Sequence, residues 1–180
     1  MNITIVDWVP GAGVTRWLTA IERSNYEWKK DGVIVIPNFA DISLSNHGLK
    51  GRDMSEQLRW STIELAEKIM QAEEQGMDLV IGGSPVSYYA YAILQWKRID
   101  TQSIVAYEKA MKTISAHARV LLLRKSREGD ITTKSPRIIH PEKVMIFEDE
   151  IESEYRRLMK NSDIQSIQRI GDSIWVTIES

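Results

Sequence analysis

Ile3-Thr4-Ile5-Val6-Asp7-Trp8-Val9-Pro10-Gly11-Ala12-Gly13-Val14-Thr15-Arg16 sets the frame for the whole chain. A short apolar run ends in an acid. A Pro/Gly-rich turn follows, and then an amphipathic segment, Trp17-Leu18-Thr19-Ala20-Ile21-Glu22. The pattern predicts strand, glycine loop, helix. In that geometry backbone N–H groups and a helix N-terminus can cradle a phosphate.

Measured against the phosphate-loop consensus, Gly followed by four residues and Gly-Lys-Ser/Thr, the stretch keeps two positions. Gly13 stands at the second glycine and Thr15 at the Ser/Thr, while Trp8 replaces the first glycine and Val14 the lysine. A valine cannot reach a terminal phosphate. The same residues also suit a tight strand-to-helix turn, with Gly11 and Gly13 supplying backbone freedom.

The chain has 180 residues, which predicts one domain large enough to bury a real core. Hydrophobic residues at 43% and charged residues at 27% are ordinary for a globular protein. A net charge of -2 gives no overall basic signal, so nucleic acid is not an expected partner. With no cysteine there is no disulfide and no thiolate metal site. His47, His117 and His140 lack metal-ligand spacing. No apolar run reaches membrane-spanning length, and the chain opens directly on a predicted strand, so a cytoplasmic location is the default expectation.

Strands and helices then alternate. Val33-Ile34-Val35-Ile36 reads as a buried strand closed by Pro37. Asn38 to Asp53, with Lys50 and Arg52, shows no periodicity and reads as a long loop, either functional or simply solvated. Met54 to Gln75 has the clearest helical spacing, with Leu58, Leu65 and Ile69 on one face and Gly76 as the stop. Asp78-Leu79-Val80-Ile81 is a third strand, followed by Gly82-Gly83-Ser84-Pro85, in which Ser84 can cap the next helix and Pro85 suits its first turn. That helix, Val86 to Lys97, carries Tyr88, Tyr89, Tyr91 and Trp96, either as core packing or as a stacking wall for a base. A helix over Thr101 to His117 and a strand over Arg119 to Leu123 come next. Five cations follow, Arg124, Lys125, Arg127, Lys134 and Arg137, as a solvated run or as a lid that contacts phosphate. Phe147 to Met159 reads as an amphipathic helix, and the tail as two strand-like runs about Gly171-Asp172.

Continuous apolar strands alternating with helices predict a parallel sheet between helical layers, a three-layer α/β/α domain. Ligands of such sheets bind outside the carboxyl ends of the strands. All four candidate loops, 7–15, 37–53, 82–85 and 124–137, would then share one edge.

On these loops the chain resembles thymidylate kinases and, more loosely, deoxynucleoside kinases of the P-loop class. Gly11-Ala12-Gly13-Val14-Thr15-Arg16 aligns with the family's Gly-Ser-Gly-Lys-Thr-Thr, and Asp7 stands at its acid after the first strand. Glu56 to Ile81 resembles its long helix and third strand, Gly82 to Tyr91 the segment carrying its Asp-Arg or Glu-Arg-Ser, and Arg124 onward its lid, a loop over about 124–142. Phe147 to Leu158 resembles its late helix, which also ends in a Tyr and a Leu.

The resemblance implies phosphoryl transfer from ATP, with Mg2+, to a (deoxy)nucleoside monophosphate or modified pyrimidine. It implies Asp7 and Arg16 as catalytic residues, Thr15 and Asp7 at the metal, and Gly11, Ala12, Gly13, Val14, Thr15, Arg16, Arg124 and Arg127 around the donor. Arg52, Arg59, Trp60, Ser84, Tyr88 and Tyr89 fall to the acceptor. It also implies a homodimer through the long helices. The departures are Val14 for the lysine, Gly82-Gly83 for the acid-arginine pair, and Thr62 where the long helix has an arginine, with Arg59 nearby. They leave open an inactive kinase-like module that binds nucleotide or protein, and an unrelated α/β domain.

Overall fold

The computed structural model describes residues 1–8, 27–37, 39–48, 52–124, 141–170 and 174–178. Seven strands form one sheet: β1 (Ile3–Trp8), β2 (Trp28–Lys30), β3 (Val33–Ile36), β4 (Asp78–Gly82), β5 (Ala118–Arg124), β6 (Asp163–Ile170) and β7 (Ile174–Ile178), in the order β2-β3-β4-β1-β5-β6-β7. Between them run α1 (Phe39–Asn46), α2 (Met54–Glu74), α3 (Pro85–Leu94), α4 (Thr101–Ile114) and α5 (Pro141–Leu158).

The five central strands pair in parallel, as continuous apolar runs require. The expectation of a wholly parallel sheet is corrected at both edges. β2 pairs antiparallel with β3 through the turn at Asp31-Gly32, and β7 pairs antiparallel with β6. Connections this short allow only antiparallel neighbours. Gly32 sits at φ 80, in the left-handed region that favours glycine.

The links β3 to β4, β4 to β5 and β5 to β6 all advance in one direction across the sheet. Right-handed crossovers therefore carry α2, α3, α4 and α5 over the same face. The burial agrees. Ile3, Ile5, Ile34, Ile36, Leu79, Ile81 and Val120 form one cluster with side chains from all five described helices. Each fully buried Leu or Ile there contributes about 1.5–3 kcal/mol. Val6 and Leu123 form a smaller cluster on the other face with Val80, Leu121 and Ile167. The helix expected over 17–22 lies outside the described residues.

Several element assignments change. Residues 39–46 of the expected long loop are helical, and Phe39 is fully buried. Its Ser- and Asn-rich sequence has weak helix propensity, and packing supplies what propensity does not. Trp28–Lys30 is a strand too short and polar to announce itself. α3 ends at Leu94, not Lys97, and α5 begins at Pro141, where proline's fixed φ suits a first turn. Of the residues expected in the lid, Arg124 closes β5, 141 and 142 open α5, and 125–140 lie outside the described residues.

Candidate active site

β1 leaves the sheet toward the β2–β3 edge, whereas the chain leaves both its neighbours, β4 and β5, toward the β6 edge. The carboxyl end of β1 is thus a topological switch point, where open α/β sheets bind ligands. The carboxyl ends of β1, β3, β4 and β5 lie on one edge because these strands are parallel.

Asp7 sits at this end, in register with Leu122 of β5, and is 1% exposed. Its register turns it to the helical face with Ile3 and Ile5. Ser87 Oγ donates to Asp7 Oδ1 at 2.5 Å, and Tyr155 OH donates to Asp7 Oδ2 at 2.6 Å. Ser84 Oγ lies 3.1 Å from Asp7 Oδ2 and 2.6 Å from Tyr155 OH. A hydroxyl has one proton. Tyr155 spends its own on Asp7, so the proton of Ser84 goes to Tyr155 or to Asp7.

Local sequence builds this cage. Gly83 turns the chain at φ 87, and its N–H donates to the Val6 carbonyl at 2.8 Å, tying β4 to β1. Ser84 then caps α3, its Oγ accepting from Val86 N at 3.0 Å, with Pro85 in the first turn. Ser87 follows one turn later. Tyr155 comes from α5, completely buried. Burial first, and the Asp7 charge second, push its phenol well above the usual tyrosine range, partly offset by Ser84.

The arrangement does one thing well: it fastens the end of β1 to the β4–α3 loop and to α5. A carboxylate has about four lone-pair positions. Ser87 and Tyr155 each donate to Asp7, and Ser84 stands within reach of it.

The other expected site residues are dispersed. Ser84 belongs to the cage. Arg59 turns to the start of α4, where its Nη2 lies 3.4 Å from Asp100 Oδ2 and 3.3 Å from Ser103 Oγ. Trp60 is exposed and stacks on His47 with ring centres 4.8 Å apart. Arg52 is exposed, and its carbonyl accepts from Gln57 Nε2 at 2.8 Å. Tyr89 stacks on Tyr107 at 5.1 Å, and burial raises its pKa. Tyr88 and Tyr89 both pack against the main core, as the core alternative expected. Arg124 is bound by Asp149 at 3.2 Å and by Glu152. Gly11, Ala12, Gly13, Val14, Thr15, Arg16 and Arg127 lie outside the described residues. Among the described residues, no cluster of three or more His, Cys, Asp or Glu forms a metal site, and no helix is long and apolar enough to cross a membrane.

Sequence reading missed Ser87 and Tyr155 as partners of Asp7. Tyr155 shares a helical face with Ile151 and Leu158 and reads as core. The only available signal was a hydroxyl on that apolar face. No protein-family model matches the chain, and no curated protein matches it significantly.

Proposed function

We propose that this chain is a kinase-like nucleotide-binding protein that takes the phosphates of its ligand at the carboxyl edge of the sheet. One observation carries the reading. The switch point falls at the end of β1, and the sequence that leaves it is Gly11-Ala12-Gly13-Val14-Thr15-Arg16. Glycine-rich segments at that place serve phosphates through backbone N–H groups and need no side-chain chemistry.

The resemblance extends the proposal to phosphoryl transfer from ATP to a (deoxy)nucleoside monophosphate. In that form Arg16 supplies the charge that Val14 cannot, and Thr15 and Arg127 serve the donor. Such transfer rests on positioned positive charge.

The second reading, nucleotide binding without transfer, is favoured by a specific observation. Two of the three described arginines assigned to the ligand are already matched by carboxylates, Arg59 by Asp100 and Arg124 by Asp149 and Glu152. Asp7 lies within reach of three hydroxyls. We take binding as the core of the proposal and transfer as its stronger form. A second copy of the chain is the proposed protein partner.

Thermal unfolding of the full chain with ATP or deoxynucleoside monophosphates, each with and without magnesium, tests this. A ligand at a hundredfold over its Kd adds about 2.7 kcal/mol. A midpoint shift, lost in Thr15→Ala and Arg16→Ala, is the expected result. No shift at millimolar nucleotide overturns the proposal. A shift with no phosphate transferred from labelled ATP selects the second reading.

A further inference from the structure

We infer that the seam between α1 and α2 is a site for a divalent transition-metal ion such as zinc, held by His47 Nε2 and Glu64 Oε2. The inference is independent of the nucleotide.

Glu64 is the starting point. It lies midway along α2 and is 4% exposed. Its two oxygens are treated unequally. Asn46, the last residue of α1, donates from Nδ2 to Oε1 at 3.2 Å. Oε2 is buried and has no hydrogen-bond partner among the described residues. An ionised carboxylate is costly to bury unless a donor or a cation compensates each oxygen.

His47, the residue after α1, brings its Nε2 to 3.4 Å from Oε2. That is long for a charge-assisted bond, in which nitrogen and oxygen stand about 2.7–2.9 Å apart. It is the spacing of two ligands on one ion. With Zn–N and Zn–O at about 2.0–2.1 Å and a tetrahedral angle between them, the two donor atoms stand about 3.3 Å apart.

The surroundings supply what a metal site needs besides donors, an outer shell and a way in. Asn46 occupies Oε1, which holds the carboxylate and leaves Oε2 for the ion. Trp60, one turn before Glu64 on α2, stacks on the His47 ring with centres 4.8 Å and planes 22° apart, which orients the imidazole. The His47 side chain is 29% exposed, so an ion can enter from solvent.

An imidazole nitrogen beside a carboxylate oxygen suits zinc and its neighbours, whereas magnesium and calcium take sets of oxygens. Two protein donors are fewer than the three of an open zinc site, so waters complete the sphere. The bound ion fastens the end of α1 to α2. A water in the same gap, or a plain ion pair, would serve Oε2 without any metal.

Calorimetric titration of the full, untagged chain with zinc at about pH 7.5, where imidazole is mostly neutral, separates these cases. The expected result is one zinc per chain, a raised unfolding midpoint, and no response to magnesium or calcium at the same concentration. His47→Gln and Glu64→Gln should each weaken zinc at least tenfold. Their metal-free unfolding midpoints show whether the fold survives, and if Glu64→Gln does not fold, His47→Gln decides. NMR gives a second readout on the wild-type chain. Zinc should move the ring resonances of His47, identified by their absence from His47→Gln, and leave those of His117 and His140 in place. No zinc binding at millimolar concentration overturns the inference, since water or an ion pair then serves Oε2. So does binding that survives both substitutions, or that is lost in His117→Gln or His140→Gln instead.

Discussion

Two carboxylates on the helical face, Asp7 and Glu154, both lie against tyrosines but are compensated differently. Asp7 is held by the hydroxyls of Ser84, Ser87 and Tyr155. Glu154 accepts from Tyr107 OH at 3.1 Å, but its second partner is the guanidinium of Arg157, bound at 2.7 and 2.9 Å. Arg157 is shared with Glu108 at 2.8 Å and is itself half in solvent. The two networks start from adjacent residues of α5, since Glu154 precedes Tyr155. The difference teaches what each site tolerates. Each hydroxyl that a buried carboxylate such as Asp7 accepts from carries part of its compensation. A carboxylate at the edge, paired with a full charge, can borrow water.

Removing the acids should therefore have unequal effects, and this is the largest expected one. Asp7→Ala leaves three hydroxyls around a void at the end of β1. With each stranded polar group costing about 1–3 kcal/mol, the loss should be about 3 kcal/mol or more. Glu154→Ala should cost about 1–2 kcal/mol, because Arg157 keeps Glu108 and solvent. Urea unfolding of both variants measures this. Equal losses would break the comparison, and a larger loss at Glu154 would reverse it.

Tyr155→Phe comes next. It keeps the ring and removes one donor from Asp7, for about 1–3 kcal/mol. Tyr107→Phe removes a donor that Arg157 backs up, so about 1 kcal/mol or less is expected. The pH dependence sharpens the same point. Both phenols are raised well above 10 by burial first, then by Asp7 for Tyr155 and Glu154 for Tyr107. A raised folded pKa means stability fully present below the unfolded value of about 10 and lost as pH climbs beyond it. Absorbance at 295 nm should show these two tyrosines ionising only together with unfolding. Ionisation of all six tyrosines ahead of unfolding would refute the buried cage.

Legibility in the sequence followed periodicity. The apolar runs at 3–6, 33–36, 78–81 and 119–123 pointed to four of the five central parallel strands and, with them, the shared carboxyl edge, since parallel strands bury both faces. The edge strand Trp28–Lys30 has one solvated flank and three residues, so no pattern could form. α1 was hidden by Ser43, Ser45 and Asn46, residues that compete with the helix for hydrogen bonds. For the site, Asp7 and Ser84 were legible because each ends a strand or opens a helix. Their mutual contact was not, because they stand 77 positions apart. The same limit applies to Arg59 and Asp100, which pair across 41 positions.

Asp100 supplies the smallest and cleanest test, because it is a third carboxylate without burial. It caps α4, with Ser103 N donating to Oδ1 at 2.8 Å and Ser103 Oγ to Oδ2 at 2.8 Å. The backbone N–H of Ser103 first, then its hydroxyl, lower the acid from 3.8 to about 2, with Arg59 a minor contributor. A lowered folded pKa contributes stability above the unfolded value that disappears as pH falls toward the folded one, here between about pH 4 and 2. Asp100→Asn keeps an acceptor for Ser103 N, removes the charge and turns the Oδ2 acceptor of the Ser103 hydroxyl into a donor. Its stability should match wild type near pH 2 and trail it slightly at pH 5. Arg59→Ala should leave that window almost unchanged, because the cap and not the ion pair sets the shift. If Arg59→Ala abolished the window while Asp100→Asn did not alter it, charge pairing would govern this edge site too. The weight that hydroxyl and N–H donors carry at Asp7 would then not extend from the core to the surface.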